Sequence, residues 1–140
     1  MPLRELKYSE VQVGDQVTPF VQQFEKMDAI IYAGASGDFN PIHVDPDVAK
    51  MAGHPNVIAH GLFNMALLGK TITDWIGDPG NLKKFSCQFR GRVIPGDTVT
   101  FSGVVKAKED AGQLVTLDVW AENQGGTRVL DKAEATVKLP

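Results

Sequence analysis

Between residues 61 and 76, apolar side chains recur every three or four positions, at Leu62, Met65, Leu68, Ile72, Trp75 and Ile76, whereas from residue 84 onward the chain alternates with a period of two. The first period is that of a helix with one long apolar face, the second that of half-buried strands. A single long helix followed by a run of strands has few ways to bury its stripe. The helix must lie against the sheet that the strands form, which gives an α+β architecture with a curved antiparallel sheet wrapped around one central helix.

The strands can be read individually. Phe85, Cys87, Phe89, Gly91 and Val93 alternate with Lys84, Ser86, Gln88, Arg90 and Arg92, and the turn Ile94-Pro95-Gly96-Asp97 leads into a strand over residues 98–108. Val115, Leu117, Val119 and Ala121 then alternate with Thr116, Asp118 and Trp120, and Asn123-Gln124-Gly125-Gly126 supplies the next turn. The closing stretch sets Val129, Ala133, Ala135, Val137 and Leu139 against Lys132, Glu134 and Lys138, with Asp131 falling on the apolar side. Four consecutive strands with short turns predict an antiparallel meander, one face covered and the other solvated or paired in an oligomer. An earlier strand is expected over residues 16–24. A second helix is expected over residues 26–35, with Met27, Ile30 and Ile31 as its apolar stripe, and Pro46–Met51 adds a short helical turn.

At 140 residues, with 14 glycines and 8 prolines scattered rather than clustered, the chain reads as one domain over residues 1–140, without linker or internal repeat. Cys87 has no second cysteine to pair with, and the polar opening MPLRELKYSE lacks the form of a secretory leader. No apolar run approaches the roughly 18 residues that cross a bilayer. A formal charge of −3 leaves no basic footprint for nucleic acid. The expected setting is cytoplasmic, with neither membrane nor nucleic acid as partner.

The chemistry-bearing stretch runs from Tyr32 to His43 and contains Gly37, Asp38, Asn40 and Pro41. Pro41 fixes its own φ and biases Asn40 toward an extended shape, so Asp38 and His43, five residues apart, can converge around a bend. Taken singly, Asp38 also reads as a turn former after Gly37, and His43 as a satisfied polar residue. Downstream, Ala59-His60-Gly61 lies where the long helix begins, which leaves unpaired N–H groups at Gly61. With no side chain to shield it, the Gly61 N–H is open to a carbonyl whose oxygen gains negative charge; ordinary helix-start chemistry is the other reading.

Other groupings carry less. His43, Asp45, His54 and His60 lack a metal-ligand spacing, so no metal and no cofactor are expected. Cys87, on an apolar strand face, reads as a structural thiol rather than a nucleophile, and no Gly-x-Ser-x-Gly motif is present. Lys83, Lys84, Arg90 and Arg92 fit either the phosphates of a pantetheine carrier or a solvated strand face.

Together, Tyr32, Gly37, Asp38, Asn40, Pro41, His43 and Ala49, followed by Ala59-His60-Gly61, resemble the MaoC-like family of (R)-specific enoyl thioester hydratases and dehydratases. The resemblance covers essentially the whole chain. It implies a hot-dog fold and reversible hydration of a trans-2-enoyl thioester of coenzyme A or acyl carrier protein to the (3R)-hydroxyacyl thioester. Asp38 and His43 are then the catalytic pair holding water, Asn40 an orienting residue, and the Gly61 N–H the oxyanion donor. It also implies a dimer, either of this chain or with a second hot-dog subunit. Where some relatives carry a serine in the central helix, this chain offers Asn64, Leu68 and Gly69. The alternatives are a noncatalytic acyl-binding subunit of a heteromeric dehydratase, which intact Asp38 and His43 argue against, and a hot-dog acyl thioesterase. Acyl length, carrier, physiological direction and the group that protonates C2 stay open at this level.

Overall fold

The computed structural model describes residues 4–140. Five strands, β1 (Gln16–Gln23), β2 (Leu82–Phe89), β3 (Thr98–Glu109), β4 (Leu114–Glu122) and β5 (Arg128–Lys138), form one sheet in the order β1-β3-β4-β5-β2. Every neighbouring pair is antiparallel. Three helices, α1 (Lys26–Ser36), α2 (Pro46–Met51) and α3 (Gly61–Ile76), precede β2. The two-residue period places Val115, Leu117, Val119 and Ala121 of β4 in the core, beside Val99, Phe101 and Val105 of β3. Leu68, Ile72 and Ile76 of α3 join this same apolar cluster, so the helix is enclosed by the sheet as its spacing predicts. The result is the hot-dog arrangement.

Three expectations are corrected. The predicted four-strand meander holds only for β3, β4 and β5, because β2 pairs with β5 at the opposite edge from β1. Residues 90–97 do not turn back on β2. Arg90 and Gly91 both donate to the Val129 carbonyl, the Val93 carbonyl accepts from Ala59 N–H, and Gly96 donates to Phe24 at the end of β1. This connector thus leaves one sheet edge, passes the start of α3 and reaches the other edge. Val93 is buried within it, which is why the strand-like alternation continues past the end of β2.

The second correction concerns the apolar stripes. On α3 the buried positions are Asn64, Leu68, Thr71, Ile72 and Ile76, while Leu62 lies exposed near the helix start. On α1, Ala29 and Ala33 face inward and Met27, Ile30 and Ile31 face outward. The two alanines, four residues apart, let α1 lie close to the body of the protein with its bulkier side chains turned away.

The third concerns Asp131, which is half-exposed and lies 3.7 Å from Arg128. Val119 pairs with Ala133 but Ala121 pairs with Leu130, so two steps of β4 face three of β5. This is a β-bulge, and Lys132 within it has φ of 44°. The extra residue buries both Val129 and Leu130 and swings Asp131 out.

Candidate active site

α1 ends at Gly37, whose φ of 77° is left-handed and whose N–H bonds back to Ala33. Asp38 follows, and local turn chemistry takes over. Its Oδ1 accepts from Asn40 N–H at 3.2 Å, and Asn40 Oδ1 accepts in turn from Ile42 N–H at 3.2 Å. Pro41 opens a 3-10 turn, Pro41–His43, where a missing N–H is no loss, and His43 N–H closes on the Asn40 carbonyl at 3.0 Å. This hook brings His43 Nε2 to 3.9 Å from Asp38 Oδ2.

The two partners differ in setting. The His43 side chain is 10% exposed and that of Asp38 is 53% exposed. His43 Nδ1 lies 2.7 Å from the Ile58 carbonyl, which can only accept, so Nδ1 donates there and Nε2 is the ring nitrogen turned toward Asp38. Ile58 is itself tied to the hook, its N–H donating to Ile42 at 3.2 Å.

His60 stands behind the pair. It is 2% exposed, and its ring stacks on His43 with centroids 3.8 Å apart. Its Nε2 donates to the Asp38 carbonyl at 3.0 Å, and the Tyr32 ring meets it edge-on at 4.8 Å. Its Nδ1 is buried and finds no partner among the described residues. Gly61 then opens α3, and its N–H has no acceptor among the described residues, as expected in a first helical turn.

Two cavities adjoin these groups. One, of about 380 Å³, is lined by His43, Gly61, Asn64, Phe89, Arg90 and Arg92 among others. The second, of about 270 Å³, is lined by Tyr32, Asp38, His60, Gly61, Leu62 and Phe89, together with Ser36. The structure therefore gathers Asp38, His43 and Gly61 in one region. Asn40 takes part differently, for its carboxamide holds the hook and no hydrogen bond of the described residues links it to His43 or to the carboxylate of Asp38 except through its backbone.

Of the four residues weighed as metal ligands, Asp45 caps α2 and His54 accepts from Arg92 at 3.1 Å, both apart from the pair. Asp38, His43 and His60 instead present ligand atoms within 4.8 Å of one another. Their geometry is poor for an ion, because two stacked imidazoles hold their in-plane lone pairs in planes only 19° from parallel, and each has a single nitrogen left after its bond to a carbonyl. Cys87 is half-buried against the core, and burial pushes its thiol above the ordinary range. The basic row divides. Arg90 and Arg92 line the larger cavity, while Lys83 donates to the Gly80 carbonyl.

The stacking of His60 and the covering position of Phe89 were not foreseen. His60 contacts a backbone atom 22 residues away, and no spacing rule reports that.

A family model described as the MaoC-like domain matches residues 8–124. The chain is 33% identical over 118 residues to the fatty acid synthase subunit beta of Aspergillus oryzae, an alignment covering 80% of this chain and 6% of the relative. It is 42% identical over 73 residues to the peroxisomal enoyl-CoA hydratase 2 of Arabidopsis thaliana, covering 51% of this chain and 23% of the relative. These curated relatives are thus far longer than the matched chain. Among solved structures, an (R)-hydratase from A. caviae involved in PHA biosynthesis superposes with a TM-score of 0.85 at 29% identity, covering 93% of this chain and 98% of that one.

Proposed function

The chain belongs to the MaoC-like domain family, and from that premise we propose that it catalyses the reversible hydration of trans-2-enoyl thioesters to (3R)-hydroxyacyl thioesters. The observation that carries this reading is the 3.9 Å between Asp38 Oδ2 and His43 Nε2. That separation exceeds a direct hydrogen bond and suits a water molecule bonded to both groups.

In the hydration direction the pair takes one proton from this water as its oxygen bonds to C3. The electron pair of the double bond moves toward the thioester, whose oxygen gains charge near the Gly61 N–H. C2 then collects a proton from the pair. Net addition is one water, and Asp38 and His43 return to their starting state. The Ile58 contact supports this, since with Nδ1 donating to that carbonyl the neutral ring has Nε2 as its accepting nitrogen. Asn40 orients the pair by shaping the hook rather than by touching water.

The substrates in this proposal are thioesters of coenzyme A or acyl carrier protein, in keeping with the names of the hydratase and synthase relatives. A second hot-dog chain, identical or different, covers the outward stripe of Met27, Ile30 and Ile31. One similar structure, at 27% identity and a TM-score of 0.81, is a complex of two chains named together. No described helix is long and apolar enough to cross a membrane. A cytoplasmic location remains part of the proposal.

The test is incubation with crotonyl-CoA, following loss of the conjugated enoyl absorbance and resolving the product by chiral chromatography. Formation of the (3R)-hydroxy product is expected. Release of free thiol without hydration points instead to a thioesterase, and binding without turnover to a noncatalytic subunit.

A further inference from the structure

Gly61 answers to a second neighbour besides its place at the start of α3. A Cβ built on it lies 3.0 and 3.1 Å from two ring carbons of Phe89, so the aromatic ring occupies the space that any other residue's side chain would take. Phe89 is the last residue of β2, and its backbone is held in register with Leu130 of β5. The residue itself is 53% exposed. A fixed backbone thus carries a ring that rests on α3 yet remains largely free on its outer side.

The ring is a shared wall. The cavity containing His43, Arg90 and Arg92 and the cavity containing Tyr32, Asp38 and Leu62 are both bounded by Phe89 and both reach Gly61. The two halves of the proposed acid-base pair therefore open on different cavities. At about 270 Å³ the cavity of Asp38 falls below the ~300–1,000 Å³ usual for small-molecule sites and at about 380 Å³ that of His43 lies near its low end, whereas joined they are well inside it. A substrate that reaches Asp38, His43 and the Gly61 N–H together has to occupy space on both sides of the ring.

We infer that Phe89 is a movable partition between the two cavities, and that its position sets the size of acyl group the site admits. The inference rests on the hydratase reading for the identity of the substrate. An exposed aromatic side chain changes rotamer on the picosecond to nanosecond scale, so displacement does not require the sheet to move. A short acyl group fits with the ring near its resting place. A longer one must hold the ring aside, and loses affinity in proportion.

The experiment compares wild type, Phe89→Ala and Phe89→Leu on trans-2-dodecenoyl-CoA and crotonyl-CoA, and measures binding of the saturated dodecanoyl-CoA and butyryl-CoA by calorimetry. Thermal unfolding checks each variant, and Phe89→Leu serves if the alanine variant does not fold. In Phe89→Ala the ratio of kcat/KM for the long over the short substrate rises by at least about tenfold, the low end of what one methylene changes in an apolar pocket, with Phe89→Leu between. The ratio of saturated-ligand affinities moves the same way. Unchanged ratios in both measurements, with wild-type hydration of crotonyl-CoA intact, overturn the partition and leave the hydratase reading standing. A wild-type chain that hydrates neither substrate but shows the Phe89-dependent size preference in binding overturns the hydratase reading and supports the partition.

Discussion

His43 and His60 lie face to face, their ring planes 19° from parallel, and each bonds one ring nitrogen to a backbone carbonyl. His43 holds Ile58, just before α3, and His60 holds Asp38, just after α1. The bonds cross, so the hook and the start of α3 are tied to each other twice. A carboxylate on an otherwise exposed bend is thereby kept beside a buried imidazole.

Removing the proton chemistry while keeping shape tests the pair directly. Asp38→Asn and His43→Gln each lower kcat for crotonyl-CoA hydration by at least about 10², the low end for a lost acid-base group. Asp38→Asn keeps its thermal midpoint near wild type, since Oδ1 can still accept from Asn40 N–H, whereas His43→Gln stays folded with a lower midpoint because it gives up the stack on His60. Normal kcat in both variants excludes the assignment, and a rise in KM alone makes the residues part of the binding pocket.

His60 acts through Asp38, which makes it a positioning residue with a different signature. His60→Phe keeps a planar ring against His43 and Tyr32 but loses the donor to the Asp38 carbonyl, a bond with a net worth of about 0.5–1.5 kcal/mol. If that bond aims the carboxylate, kcat falls by up to about tenfold while KM holds. A purely structural role lowers the thermal midpoint and leaves kcat of the folded protein unchanged.

The division between what the sequence discloses and what it hides follows the range of the interactions. The helix at Gly61–Ile76 and the alternation of β4 are periodic patterns within one element, and both read directly. The bend from Asp38 to His43 is local in its backbone, where the bonds of Asn40, Ile42 and His43 N–H span two or three residues, but the ties from Ile58 and His60 that hold it in place are not. The placement of β2 beside β5 depends on where residues 90–97 find partners across the fold, and no periodicity within them records that. The inward face of α1 misled for a related reason. Ala29 and Ala33 pack by being small, a choice invisible to a search for bulky apolar residues.

Cys87 offers a check on burial. Desolvation disfavours its thiolate, and the thiolate is the reactive form, so the curve of alkylation rate against pH shifts upward. At pH 8 iodoacetamide is expected to modify the folded protein more slowly than it modifies free cysteine, with the difference abolished in denaturant. Mass spectrometry of timed samples gives both rates. Faster alkylation of the folded chain contradicts the structural reading of this thiol, and loss of hydration in Cys87→Ser contradicts its separation from the chemistry.

Gly61→Ala separates two reasons for glycine at that position. Gly61 opens α3 without a positive φ, so alanine is compatible with its backbone and α3 has no reason to weaken, and the neighbour nearest the added methyl is the Phe89 ring at 3.0 Å. That ring is exposed enough to swing away, so the thermal midpoint stays near wild type while the ring is driven over one of the cavities. The expected result is a fall of about tenfold in kcat/KM for crotonyl-CoA, equivalent to about 1.4 kcal/mol. Combining Gly61→Ala with Phe89→Ala removes the collision and recovers most of that loss, so the two changes are strongly non-additive. Additive effects in this double-mutant cycle show that the methyl obstructs the thioester carbonyl at the Gly61 N–H by itself. Glycine is then required by the substrate rather than by Phe89.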